Sequence, residues 1–228
     1  MTLTPTAAWQ QLLEGNRRFV SGQPDHPRQD VELRSELANG QAPVATLFGC
    51  SDSRLAAEII FDLGLGDLFV VRNAGQVLGE SIVASLEYAV GMLQVPLIVV
   101  LAHDSCGAVE AAIDGTAIDA APLPPHIWKL IAPIVPAARK VLAENGGTTT
   151  ADIDPMLVGA EHLRNTVRGV LLSSKMIELA VARGELGIVG ANYRLAEGTV
   201  VPVITVGIDT EGTGLEEAVP EETQEEWA

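Results

Sequence analysis

The sequence predicts an α/β fold, a largely parallel central sheet of about four to five strands flanked by helices. Three observations carry this. Short apolar, partly β-branched runs recur along the chain, as buried parallel strands do. Helix-like segments separate them. Two of the runs empty directly into clusters of cysteine, histidine, aspartate and arginine, GCSDSR and HDSC. Parallel sheets bind ligands beyond the carboxyl ends of their strands, so such clusters have a natural place there.

The elements follow in order. AAWQQLLEGNRRFV (Ala7 to Val20) sets Trp9, Leu12, Leu13 and Phe19 near one face at helical spacing. SGQPDHPRQD then reads as a linker, because proline and glycine break regular structure. VATLFG (Val44 to Gly49) is the first strand, followed by a helix from about Leu55 to Asp62. LFVV (Leu68 to Val71) is the second strand, and Ser81 to Leu93 the next helix. PLIVVLA (Pro96 to Ala102) is the third strand. The segment from Asp114 to about Pro155, with PLPPHIW and a Gly-Gly-Thr-Thr-Thr loop, is less regular and reads as helical. A long helical region runs from about Met156 to Arg183, before a fourth strand in LGIVGANY (Leu186 to Tyr193) and a last one in TVVPVITV. The closing GLEEAVPEETQEEWA reads as a solvated acidic tail. One domain is expected over residues 1–228, with 1–40 as an N-terminal helical arm and linker and about 212–228 as the tail.

With 47% hydrophobic and 19% charged residues, the chain has ample material for one core. A formal charge of −16 argues against a nucleic-acid partner, which needs clustered Lys and Arg, and against docking on anionic membranes. The apolar runs are strand-sized, and no basic segment leads into one, so a cytoplasmic protein is expected. Its two cysteines, Cys50 and Cys106, are then core thiols, catalytic groups or metal ligands before they are a disulfide.

Cys50, His103 and Cys106 match the three-ligand set of a catalytic zinc site, which leaves a fourth position open. His103 stands just past a strand and Cys106 near the start of the next helix, so both can point to one spot. Cys50 approaches from another strand end. Beside it stand Asp52 and Arg54, either a helix cap with a surface arginine or a carboxylate held ionised to accept from a metal-bound water. His26, His126 and His162 lack ligand spacing and read as surface or capping residues. No dinucleotide fingerprint, nucleophile elbow or phosphate-cradling Cys–Arg loop fits its context.

CSDSR (Cys50 to Arg54) together with HDSCGAV (His103 to Val109) resembles the β-class carbonic anhydrases. VRNAG (Val71 to Gly75), EYAV (Glu87 to Val90) and the early LEGNRRF match that family in order and spacing, so the resemblance spans roughly Trp9 to Thr205. It implies reversible hydration of carbon dioxide to bicarbonate through a zinc-bound hydroxide, with one Zn2+ per chain on Cys50, His103 and Cys106. Asp52 and Arg54 become a dyad beside the open position; in some members the aspartate itself becomes the fourth ligand and closes the site. Gln41, Phe69, Ala74 and Tyr88 fall where the family lines its substrate cleft, Gln41 reaching in from a neighbouring subunit. Gly107 follows the second cysteine and offers its backbone near the site. The resemblance also implies a homodimer or homotetramer whose helical arms pack on neighbouring subunits. Members inhibited by bicarbonate use a tryptophan, an arginine and a tyrosine at a second site; Arg72 and Tyr193 match two of these, but Leu47 replaces the tryptophan. Two rivals stand beside this reading: a zinc-stabilised scaffold without catalysis, and a carbonyl sulfide or carbon disulfide hydrolase.

Overall fold

The computed structural model describes residues 3–209; the acidic tail lies outside the described residues. Five strands form one sheet in the order β2-β1-β3-β4-β5. They are β1 (Ala45–Cys50), β2 (Leu68–Asn73), β3 (Leu97–His103), β4 (Gly187–Tyr193) and β5 (Val200–Val206). The first four run parallel, and β5 pairs antiparallel with β4. After β1 the chain lays β2 on one side, then returns to lay β3 on the other. That reversal opens a crevice beyond the carboxyl ends of β1 and β3, where open α/β sheets hold ligands.

Alternation along β3 feeds both faces of the sheet. Leu97, Val99 and Leu101 join Trp9, Leu12, Leu47 and Ile134 in one core, while Ile98, Val100 and Ala102 join Phe48, Leu86, Leu163 and Val167 in the other. Each such fully buried apolar side chain contributes about 1.5–3 kcal/mol of transfer free energy.

The helices are α1 (Pro5–Val20), α2 (Val31–Leu37), α3 (Ala57–Ile60), α4 (Glu80–Gly91), α5 (Gly107–Asp114), α6 (Pro125–Ile131), α7 (Val135–Glu144), α8 (Pro155–Ser173) and α9 (Lys175–Ala182). Among the described residues, no helix is long and apolar enough to cross a membrane. Three boundaries differ from the sequence reading. The linker holds α2, an exposed helix capped by Asp30, whose carboxylate accepts from Leu33 N–H. The helix expected over Leu55 to Asp62 shrinks to the single turn of α3, and the chain turns away two residues later at Asp62, with φ +46°. The long helical region breaks at Ser174, which is extended, caps α9 through its hydroxyl and donates to Glu87.

The N-terminal helix is tied to its own chain. Trp9 and Leu12 are fully buried against the chain's own core. Asn16 donates to the carbonyls of Ile60 and Gly198 and accepts from Val200 N–H, while Arg18 donates to Asp62. Gly15 lies so close to the Phe61 carbonyl that no side chain fits between them. The LEGNRRF segment therefore docks α1 on its own subunit.

Candidate metal centre

Cys50 is the last residue of β1, His103 the last of β3, and Cys106 the N-cap of α5. β1 and β3 are sheet neighbours, so their final residues emerge side by side. Ser105 turns the chain between His103 and Cys106 in the left-handed region, φ +48°. The two sulfurs and one imidazole nitrogen lie within 4.8 Å of one another, all three residues buried.

The histidine tautomer follows from its surroundings. Nδ1 lies 2.8 Å from the Asp104 carbonyl, which can only accept, so Nδ1 carries the proton. Nε2 is left with a lone pair, buried and without a hydrogen-bond partner. An orphaned buried acceptor facing two thiol sulfurs fits a metal with mixed nitrogen and sulfur ligation. The thiols point the same way. Cys50 is pulled down to about 4, chiefly by the Cys106 thiol and also by the Gly75 N–H, against the opposing effect of burial. Cys106 is pushed up by its contact with the Cys50 thiolate and by burial. Two sulfurs held this close repel one another as thiolates unless a positive charge lies between them. For His103, burial opposes the charged form, but the Cys50 thiolate outweighs it and raises the imidazole.

Asp52 is not a helix cap. Its Oδ1 accepts from the backbone N–H of Arg54 and from Arg54 Nε, each at 2.9 Å, and its Oδ2 from Arg54 Nη2 at 2.7 Å. That hydrogen-bonded guanidinium, more than any other group, holds the carboxyl well below the usual carboxylate range. Oδ2 also lies 3.9 Å from His103 Nε2, at the edge of the trio. Arg54 Nη2 reaches on to the Ser105 carbonyl at 3.1 Å, tying the β1 turn to the β3 turn.

The structure gathers the trio, Asp52, Arg54 and Gly107, the first residue of α5, at one end of the sheet. Ala74 is exposed in the adjoining loop, whose next residue, Gly75, donates its N–H to Cys50 Sγ at 3.3 Å. Gln41 is exposed in the segment before β1, at the opposite end of that strand from Cys50. Phe69 pairs with Thr46 near that same far end, and its ring meets Tyr88 of α4 at 5.9 Å between centroids. These three are set apart from the trio within one chain.

Several contributors escaped the sequence reading. Arg72, matched above to a bicarbonate site, donates from Nε to the Cys50 carbonyl at 2.9 Å and from Nη2 to the Asp52 carbonyl at 2.7 Å. It clamps the turn that carries the dyad, while Tyr193 lies on β4, with β1 and β3 between it and Arg72 on β2, and Leu47 is buried in the core. Asp104 and Ser105 act through their carbonyls. His162, read above as a surface or capping residue, is buried, with Nε2 2.8 Å from the Gly75 carbonyl. A histidine whose partner is main chain leaves no spacing signal.

The family model described as Carbonic anhydrase matches residues 45–200 of this chain. The chain belongs to the β-carbonic anhydrase family. It is 47% identical over 198 residues to "Carbonic anhydrase 2" of Mycobacterium tuberculosis (strain CDC 1551 / Oshkosh), covering 86% of this chain and 92% of that protein. To "Carbonic anhydrase" of Mycolicibacterium smegmatis it is 45% identical over 197 residues, with the same coverage of 86% and 92%. The Coccomyxa β-carbonic anhydrase solved with acetazolamide superposes with a TM-score of 0.66 at 27% identity, over 86% of this chain and 87% of that one. A tetrameric β-carbonic anhydrase of Sordaria macrospora shares the fold at a TM-score of 0.68 and 22% identity, over 87% of this chain and 98% of that one.

Proposed function

We propose that this β-carbonic anhydrase hydrates carbon dioxide reversibly to bicarbonate and a proton, with zinc held by Cys50, His103 and Cys106. The observation that carries the reading is the buried Cys50, His103 and Cys106 cluster with its orphaned His103 Nε2, beside a carboxylate that Arg54 grips at both oxygens. Zinc bound there would supply Lewis acidity, turning water into a nucleophile near neutral pH.

The chain's own residues do the rest. Asp52 is ionised, so its carboxylate is acceptor-only. It would accept a hydrogen bond from a water at the open position and so hold that water's oxygen lone pair towards the substrate. Arg54 occupies both carboxylate oxygens, and this grip opposes rotation of Asp52 into the ligand set, so the open arrangement is the resting one. Arg72 holds the carbonyls of Cys50 and Asp52 and thereby fixes the dyad relative to the trio. Positioning of this kind contributes by presenting the reactants already oriented. Ala74 and Gly107 border the site. Gln41, Phe69 and Tyr88, set apart within one chain, line the cleft of a neighbouring copy in a homodimer or homotetramer. A cytoplasmic setting suits two buried cysteines that form no disulfide.

Metal analysis and stopped-flow hydration test this together. Wild-type protein carries one zinc per chain and hydrates carbon dioxide, and Cys106→Ser loses both. A zinc-free active wild type would overturn the ligand assignment. Zinc-loaded protein that hydrolyses carbon disulfide far faster than it hydrates carbon dioxide would move the reaction to the sulfur branch.

A further inference from the structure

His162 lies on α8, away from the ligand-bearing strand ends, and is 4% exposed. Its Nε2 sits 2.8 Å from the Gly75 carbonyl, so Nε2 carries a proton and donates it. Gly75 in turn donates its own N–H to Cys50 Sγ at 3.3 Å. The loop between them is unusual in its backbone. Gly75 and Gln76 are consecutive left-handed residues, with φ +79° and +41°. Such a conformation at a non-glycine residue costs of order 1–3 kcal/mol and persists only where the surroundings enforce it. Asn73 supplies part of that enforcement, donating to the Val77 carbonyl and accepting from Val77 N–H. His162 adds a hold at the Gly75 carbonyl.

We infer that His162 is a positioning residue for the metal centre, holding through Gly75 the amide that hydrogen-bonds the Cys50 thiolate. The inference rests on the metal-ligand reading of Cys50, His103 and Cys106. Two thiolates already neutralise a divalent cation and blunt its Lewis acidity. A hydrogen bond to one sulfur draws electron density away from the metal–sulfur bond and restores part of that acidity. Such outer partners tune a metal site as much as its ligands do. Burial pushes the His162 imidazole down, so it stays neutral and keeps a fixed donor on Nε2.

Cobalt(II)-substituted protein tests this through its sulfur-to-metal charge-transfer absorption, which moves to lower energy as the thiolate becomes more electron-rich. His162→Gln keeps an amide donor near the Nε2 position, and His162→Met has matched length without one. The Met variant shifts the band to lower energy and loses cobalt faster to a competing chelator; the Gln variant stays close to wild type. Should His162→Met fail to fold, His162→Leu takes its place as the donor-free member; should His162→Gln fail, wild type is itself the donor-bearing member of the pair. Equal bands in wild type and both members of a pair, whatever their melting temperatures, would overturn the positioning role and leave His162 a packing residue. A wild type with no thiolate-to-cobalt band would instead overturn the ligand assignment.

Discussion

Gly75→Ala puts the account of the site under direct strain. At φ +79° a Cβ meets unfavourable backbone geometry, worth about 1–2 kcal/mol for a residue forced into the left-handed region. The added atom would also stand 2.9 Å from Ala108 Cβ and 3.0 Å from Ile134 Cδ1. Ala108 has no flexible end to withdraw, and overpacking of this kind typically costs about 1–3 kcal/mol. Together these give about 2–5 kcal/mol, a large share of the roughly 5–15 kcal/mol by which domains are stable. Gly22→Ala is the matched control, with φ +70° and open space around its Cβ. It should show the backbone part alone, about 1–2 kcal/mol. Urea denaturation of the zinc-loaded proteins measures both, and metal analysis follows them. The Gly75 variant should lose the larger amount of stability and hold zinc less tightly, because its N–H moves relative to Cys50 Sγ. If Gly75→Ala costs no more than Gly22→Ala and retains zinc equally, the packing of this loop against α5 is wrong.

The other predictions concern separate parts of the molecule. Asp52→Asn should lower carbon dioxide hydration by about a hundredfold or more, the usual scale for a proton-handling group, while zinc content stays at wild type. Trp9→Ala should cost about 3–5 kcal/mol in denaturant unfolding, because the side chain is wholly buried within its own chain; a negligible cost would contradict the docking of α1 on that core. His162 should also leave a pH signature. Burial depresses its imidazole below the ordinary 6.5, so the unfolded chain takes up a proton that the folded one refuses. Its contribution is therefore complete above 6.5 and is lost as pH falls below it, at no more than about 1.4 kcal/mol per pH unit. Relative to His162→Gln, the wild type should weaken as pH falls through that range, and parallel curves would contradict the buried, neutral assignment.

What the sequence revealed and what it hid divide along a physical line. Strands β1 to β4 were legible because buried parallel strands need unbroken apolar runs, and the meeting of Cys50, His103 and Cys106 because those residues sit at strand ends. Asp52 and Arg54 were legible by proximity to Cys50. Features that act through the main chain were not. Arg72 binds the carbonyls of Cys50 and Asp52, His162 that of Gly75, and Arg54 that of Ser105, and any residue type could have supplied those oxygens. The end of the long helix at Ser174 was hidden for a similar reason. Its capping hydroxyl depends on Glu87 across a helix contact, not on a local breaker such as proline. The docking of α1 was hidden because Gly15, Asn16 and Arg18 find their partners on distant segments, around Ile60 to Asp62 and Gly198 to Val200.

The most direct test of the proposed function is the pH profile of carbon dioxide hydration by zinc-replete protein, followed by stopped flow. Asp52 is held ionised by Arg54, so its own protonation does not limit activity near neutrality. Hydration should therefore be measurable at neutral pH and rise towards alkaline pH as water at the open position loses its proton. Folded, zinc-loaded protein that hydrates no carbon dioxide up to about pH 9, where water on free aqueous zinc already ionises, would contradict the account.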